Sequence, residues 1–157
     1  MRYTHIVLSG LAFICFLTYT SAASAHCQVP CGIYADHARI HAMLEDTTTI
    51  AKAVNQLKAL ETKTDAQSMN QRVRWTNTKE SHASHIIEVV STYFLTQKLK
   101  PADPKDKKAY NAYIQKLTAC HQVMRHAMKA KQTVDAKATD ALKAAIEHLG
   151  SFYPSKK

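Results

Sequence analysis

Glycine and proline are scarce, with three and four residues in a chain of 157. So few turn formers leave little material for a turn-rich all-β fold, and the frequent Ala, Lys, Leu, Gln and Met favour helix instead. Long apolar runs are scarce as well. The one at 6–17 is too short to span a bilayer comfortably, and no other segment is long enough. Lysine runs longer than two are missing, although the chain holds sixteen lysines and a formal charge of +9. The aromatic interleaving of a base-stacking platform is missing too, which argues against nucleic acid as a partner and for a solvated basic surface. The length suits one compact domain, and no internal repeat or low-complexity tract divides it.

The first 25 residues have the order of a secretory leader: Arg2 as the positive charge, the apolar run, then Ala23-Ser24-Ala25 as a small-x-small cleavage site. A lipidated start at Cys27 does not fit, because bulky His26 would stand immediately before the modified cysteine. The expectation is therefore an exported chain, periplasmic or extracellular, cut between Ala25 and His26. It has no stable membrane association after the cut and keeps a charge of +8. Cys15 leaves with the leader, so the mature chain retains Cys27, Cys31 and Cys120. An odd number argues against a full disulfide framework, although Cys27 and Cys31 could close a small loop with each other.

Beyond residue 35 the pattern is helical. Asp36 is a candidate N-cap, with Ile40, Leu44, Ala51, Val54 and Leu57 at three- and four-residue steps behind it. A second helix is expected over 66–98, with an apolar stripe of Met69, Val73, Thr76, Ala83, Ile87, Val90 and Phe94 close to a heptad seam. Pro101 to Pro104 break the chain, and Asp103-Pro104 reads as an N-cap with proline at the first helical position. The third helix then carries Tyr110, Tyr113, Ile114, Leu117, His121, Met124 and Met128. The fourth begins near Asp135, shows Leu142, Ala145, Ile146 and Leu149, and stops at Gly150. Together these predict an all-α fold: an up-down-up-down four-helix bundle over 35–157, preceded by a metal-binding hook at 26–34.

The hook owes its chemistry to its position. Once His26 is the first residue, its α-amine and the Cys27 amide nitrogen can close a five-membered chelate on a metal. The same amide and the Cys27 thiolate can close a second, fused ring. Cys31 can add another thiolate, and the His26 imidazole can reach an axial position. Two nitrogens and two sulfurs in a plane suit Ni(II) or Cu(II), whereas zinc prefers a tetrahedron. Anionic amide and thiolate donors also stabilise Ni(III). Pro30 constrains the turn between the cysteines, Gly32 permits close backbone approach, and Tyr34 could cover the open face.

The run His26-Cys27-Gln28-Val29-Pro30-Cys31-Gly32-Ile33-Tyr34, followed by Arg39-Ile40, resembles the signature of nickel superoxide dismutases. The segment from Trp75 through Lys79-Glu80-Ser81-His82-Ala83 to Tyr93-Phe94 is similar as well. The resemblance implies a helical-bundle subunit in a homohexamer, with one nickel ion per subunit and superoxide as substrate, disproportionated to oxygen and hydrogen peroxide by Ni(II)/Ni(III) cycling. It implies His26, Cys27 and Cys31 as metal ligands, with Tyr34 and Tyr93 gating the pocket and ordering water. This chain departs from the pattern in three places. His41 stands where many members carry an acidic partner for the axial imidazole, which makes Glu45, one turn further, a candidate substitute. Gln28 replaces a frequent Asp, and the leader is Sec-like.

Other readings compete. A non-enzymatic exported nickel or copper binder would use the same hook, and a structural bundle would carry a Cys27–Cys31 disulfide. His82, His85 and Glu88 share a helix face, but a di-metal bundle core needs a second such copy, so helix-surface hydrogen bonding is the expectation. Cys120 is expected as a buried thiol beside an interior His121. Met43, Met69, Met124 and Met128 match core positions, and Tyr110 and Tyr113 suit the core or a subunit interface.

Overall fold

The structure is a computed structural model that describes residues 35–155. The leader, the hook at 26–34 and Tyr34 lie outside the described residues. Four helices follow one another: α1 (Asp36–Ala59), α2 (Ala66–Glu88) with a π-helical continuation (Val89–Lys98), α3 (Lys107–Lys131) and α4 (Ala136–Gly150). Helix α1 packs on α2 and α4, and α3 packs on the same two, so each helix touches two neighbours around one core. This is the expected all-α four-helix bundle.

Acidic caps set three of the four helix starts. Asp65 accepts from the Ser68 amide at 2.9 Å and from its hydroxyl at 2.6 Å, Asp106 from the Ala109 amide at 2.9 Å, and Asp135 from the Lys137 amide at 3.1 Å. The Ser68 hydroxyl, then the Ser68 amide, hold the Asp65 carboxyl below its usual range. The third helix begins later than the sequence suggests. Asp103 accepts the Lys105 amide on its side chain and the Asp106 amide on its carbonyl, closing a turn with Pro104 at the second position. Asp-Pro serves a β-turn as well as a helix start, and Asp106 takes the cap. At α1 the N-cap is Ala35, without a side-chain bond, because the Asp36 carboxylate is drawn into contacts with the π-helical segment.

The core centres on Met43, Ile50, Ile86, Phe94, Leu142, Ile146 and Leu149, all fully buried. The α4 stripe is as expected. On α1 the buried face runs through Ile40, Met43, Asp46, Thr47, Ile50, Ala53 and Val54, leaving Leu44, Ala51 and Leu57 half-buried. On α2 the expected stripe holds at Ala83, Val90 and Phe94 but fails before them: Met69 and Val73 are 54% and 61% exposed. A straight helix drifts about 20° per heptad from a 3.5-residue seam, and the buried positions of the first half are instead Ser68 and Lys79. On α3 the small residues Ala119, Cys120, Ala127 and Ala130 face inward with Val123, whereas Ile114, His121 and Met128 are exposed.

A π-helical turn and a close helix–helix approach also shape the bundle. After Glu88 the turn widens, and Leu99 N–H reaches Phe94 O at 2.8 Å, five residues back. The side chains of Thr96 and Gln97 bond carbonyls five residues back as well. The wider turn buries Val89, Val90, Tyr93 and Phe94 together. At the end of α4, a Cβ on Gly150 would lie 2.9 Å from Ile40 Cγ2. The glycine therefore serves close packing of α4 on α1, and Ile40, stiff at χ1, could not swing aside freely.

Candidate metal centre

The first described residue, Ala35, directly follows Tyr34, so the root of the expected hook is visible. Tyr93 Oη donates to Asp36 Oδ1 at 2.7 Å, and Lys98 Nζ lies 2.9 Å from the same oxygen. Tyr93 is 8% exposed and packs edge-on against Phe94, with ring centroids 5.2 Å apart at 88°. Phe94 in turn meets Tyr153 at 4.9 Å. Burial, then the charges of Cys120 and Asp36, push the Tyr153 hydroxyl up to about 12, so it stays protonated. The Arg39 guanidinium and the Lys98 ammonium lie 5.8 and 5.9 Å from the Tyr93 ring centroid. The start of α1 is thus tied to the π-helical segment through one carboxylate, within a cationic neighbourhood.

The two candidate partners of the His26 imidazole meet each other. His41 Nδ1 lies 3.5 Å from Glu45 Oε1 along α1, with side chains 65% and 72% exposed. His82 and His85 make the hydrogen bonds expected of them, and their common partner is Asp46: His82 Nδ1 donates to Oδ1 at 2.6 Å and His85 Nδ1 to Oδ2 at 2.7 Å. Asp46 is the residue that sequence reasoning missed. Its signal was a carboxylate on the buried phase of α1, three residues after Met43 and four before Ile50.

Cys120 is free, fully buried and without the interior histidine expected beside it. Burial pushes its thiol up to about 11, which keeps it protonated and poor as a metal ligand. Among the described residues, no group of three or more His, Cys, Asp or Glu side chains is placed to hold a metal ion. None of the described helices is long and apolar enough to cross a membrane.

Comparison with curated proteins and with solved structures returns no match. The family profile described as nickel-containing superoxide dismutase matches residues 21–157, which takes in the hook sequence and all four helices. The chain belongs to the nickel-containing superoxide dismutase family.

Proposed function

We propose that the chain, cut after Ala25, is an exported nickel superoxide dismutase whose His26, Cys27 and Cys31 hold one nickel ion per subunit in a homohexamer. The observation that carries this reading is the small-x-small cleavage site that ends immediately before the first residue of the hook sequence. The donor set fits nickel: an amine, an amide and two thiolates are nitrogen and soft sulfur donors that favour a planar d-block ion. Nickel held there supplies the one-electron couple that turns two superoxide ions and two protons into oxygen and hydrogen peroxide. The thiolates must be deprotonated, so nickel retention falls in acid.

The residues of the bundle then have a supporting task. Asp36, two positions beyond Tyr34 in the chain, is held at the start of α1 by Tyr93 and Lys98. Tyr93 acts here as a positioning residue, with its hydroxyl engaged by Asp36 at the start of α1. Arg39, Lys98 and the positive mature chain draw the anionic substrate toward this end, an effect that salt weakens.

Two measurements test the reading. Native and denaturing mass spectra of the exported protein are expected to show a chain that begins at His26 and carries nickel, and pulse radiolysis is expected to show superoxide removal. Bound nickel without turnover would make the protein a metal carrier instead. Tyr93→Phe removes the hydrogen bond to Asp36, worth about 0.5–1.5 kcal/mol, and leaves the ring packing in place. Superoxide removal per nickel is expected to fall by about 3–10-fold with a shifted nickel–thiolate absorption band. A purely structural role would lower the melting temperature and leave that band unmoved.

A further inference from the structure

Asp46 is a charged group that the hook chemistry does not use. It is 7% exposed, and its two oxygens are divided between two imidazoles. An ionised carboxylate only accepts hydrogen bonds, so both Nδ1 atoms carry their protons. In the neutral rings both Nε2 atoms are then lone-pair donors. His82 and His85 stand three residues apart on one face of α2, close enough to act together, and their side chains are 37% and 50% exposed. With Asp46, Ser81, Ser84 and Glu88 they line a cleft of about 520 Å³. A carboxylate that fixes the Nδ1–H of an imidazole while Nε2 stays available is the outer support typical of metal-bound histidine. Here a single carboxylate supports two.

We propose that His82 and His85 form a second metal site, independent of the hook, which takes a borderline divalent transition cation such as Zn²⁺ through the two Nε2 atoms. Imidazole donors select Zn²⁺, Cu²⁺ or Ni²⁺ over Mg²⁺ and Ca²⁺. Water completes the coordination, and the Glu88 carboxylate, one turn beyond His85, makes the cleft more attractive to a cation. With two protein ligands the site is open and exchangeable, unlike a closed four-ligand structural zinc site. The bound ion also places positive charge opposite the buried Asp46 carboxylate, across the two rings that separate them.

The test uses the mature chain with His26→Ala, Cys27→Ser and Cys31→Ser, so that the hook cannot compete. Calorimetric titration with Zn²⁺ is expected to show one equivalent bound, and titration with Mg²⁺ none. Asp46→Asn is expected to weaken zinc by about 10–100-fold, and the pair His82→Ala and His85→Ala to abolish it. Zinc is also expected to raise the melting temperature of the hook-silenced chain and leave that of the double-alanine chain unchanged. Absence of saturable zinc binding, or binding that survives loss of both imidazoles, overturns the proposal. Neither result bears on the hook, whose nickel is read in the unmodified chain.

Discussion

One alanine placed before His26 should remove nickel and superoxide activity together. The extension keeps every side chain of the hook but converts the terminal amine to an amide and moves the charged amine one residue away. That nitrogen can then join the ring with the Cys27 amide only after losing its proton, as a second anionic amide in place of the neutral amine. Losing support around a ligand costs about 10–100-fold in metal affinity, and losing the ligand itself should cost at least the upper end of that range. Nickel content by mass spectrometry and superoxide removal by pulse radiolysis, on chains with and without the extra residue, decide it. An extended chain with full nickel and full activity would falsify the amine-ligand mechanism. The bundle should be unaffected, with the same helicity and melting temperature in both proteins.

Lys79→Met should be a strongly damaging change to the bundle. The Lys79 side chain is 4% exposed and reaches across to the end of α3, where its ammonium donates to Ala130 O at 3.0 Å and to Lys131 O. It also meets Glu80 Oε1 at 3.1 Å. These carbonyls belong to the last turn of α3, where the helix dipole favours a cation. Methionine fills much of the same volume but leaves the carbonyls without their donor, at about 1–3 kcal/mol for each buried group. Glu80 loses less, because it is 40% exposed and Lys131 Nζ lies 3.6 Å from its other oxygen. The expected loss is about 2–4 kcal/mol, a large part of the roughly 5–15 kcal/mol that holds a domain together. Urea unfolding of the two proteins at equal m-value measures it. Lys79→Arg, which retains charge and donors, should recover part of the loss.

Lys79 also shows where sequence reading stops. Nothing around it in the chain marks a buried residue, because the carbonyls it bonds lie more than fifty positions away. Asp46 is a similar case: its histidines are 36 and 39 residues distant, so the carboxylate and its imidazoles are each unremarkable until the helices pack. By contrast, the hook residues 26, 27 and 31 are neighbours in the chain, so the chemistry proposed for them rests on sequence spacing and not on the fold. The α4 stripe was legible for a related reason, since Leu142, Ala145, Ile146 and Leu149 form a single uninterrupted face. Asp103-Pro104 misled because the same dipeptide satisfies two local structures, and only the later Asp106 settles which one forms. The widened turn after Glu88 left no mark in the apolar pattern, which reads as continuous helix through 98.

The burial of Cys120 has a consequence for how such a protein is assembled. If the chain is exported as proposed, Cys27 and Cys31 near its start could scramble with any third thiol. Thiol–disulfide exchange requires a thiolate that can reach its target. With the Cys120 thiol pushed up to about 11, roughly one molecule in ten thousand carries that thiolate at pH 7, and the packed core encloses it. The third sulfur is thereby a poor partner for exchange. On the proposed reading, Cys27 and Cys31 are left to partition between a metal and each other.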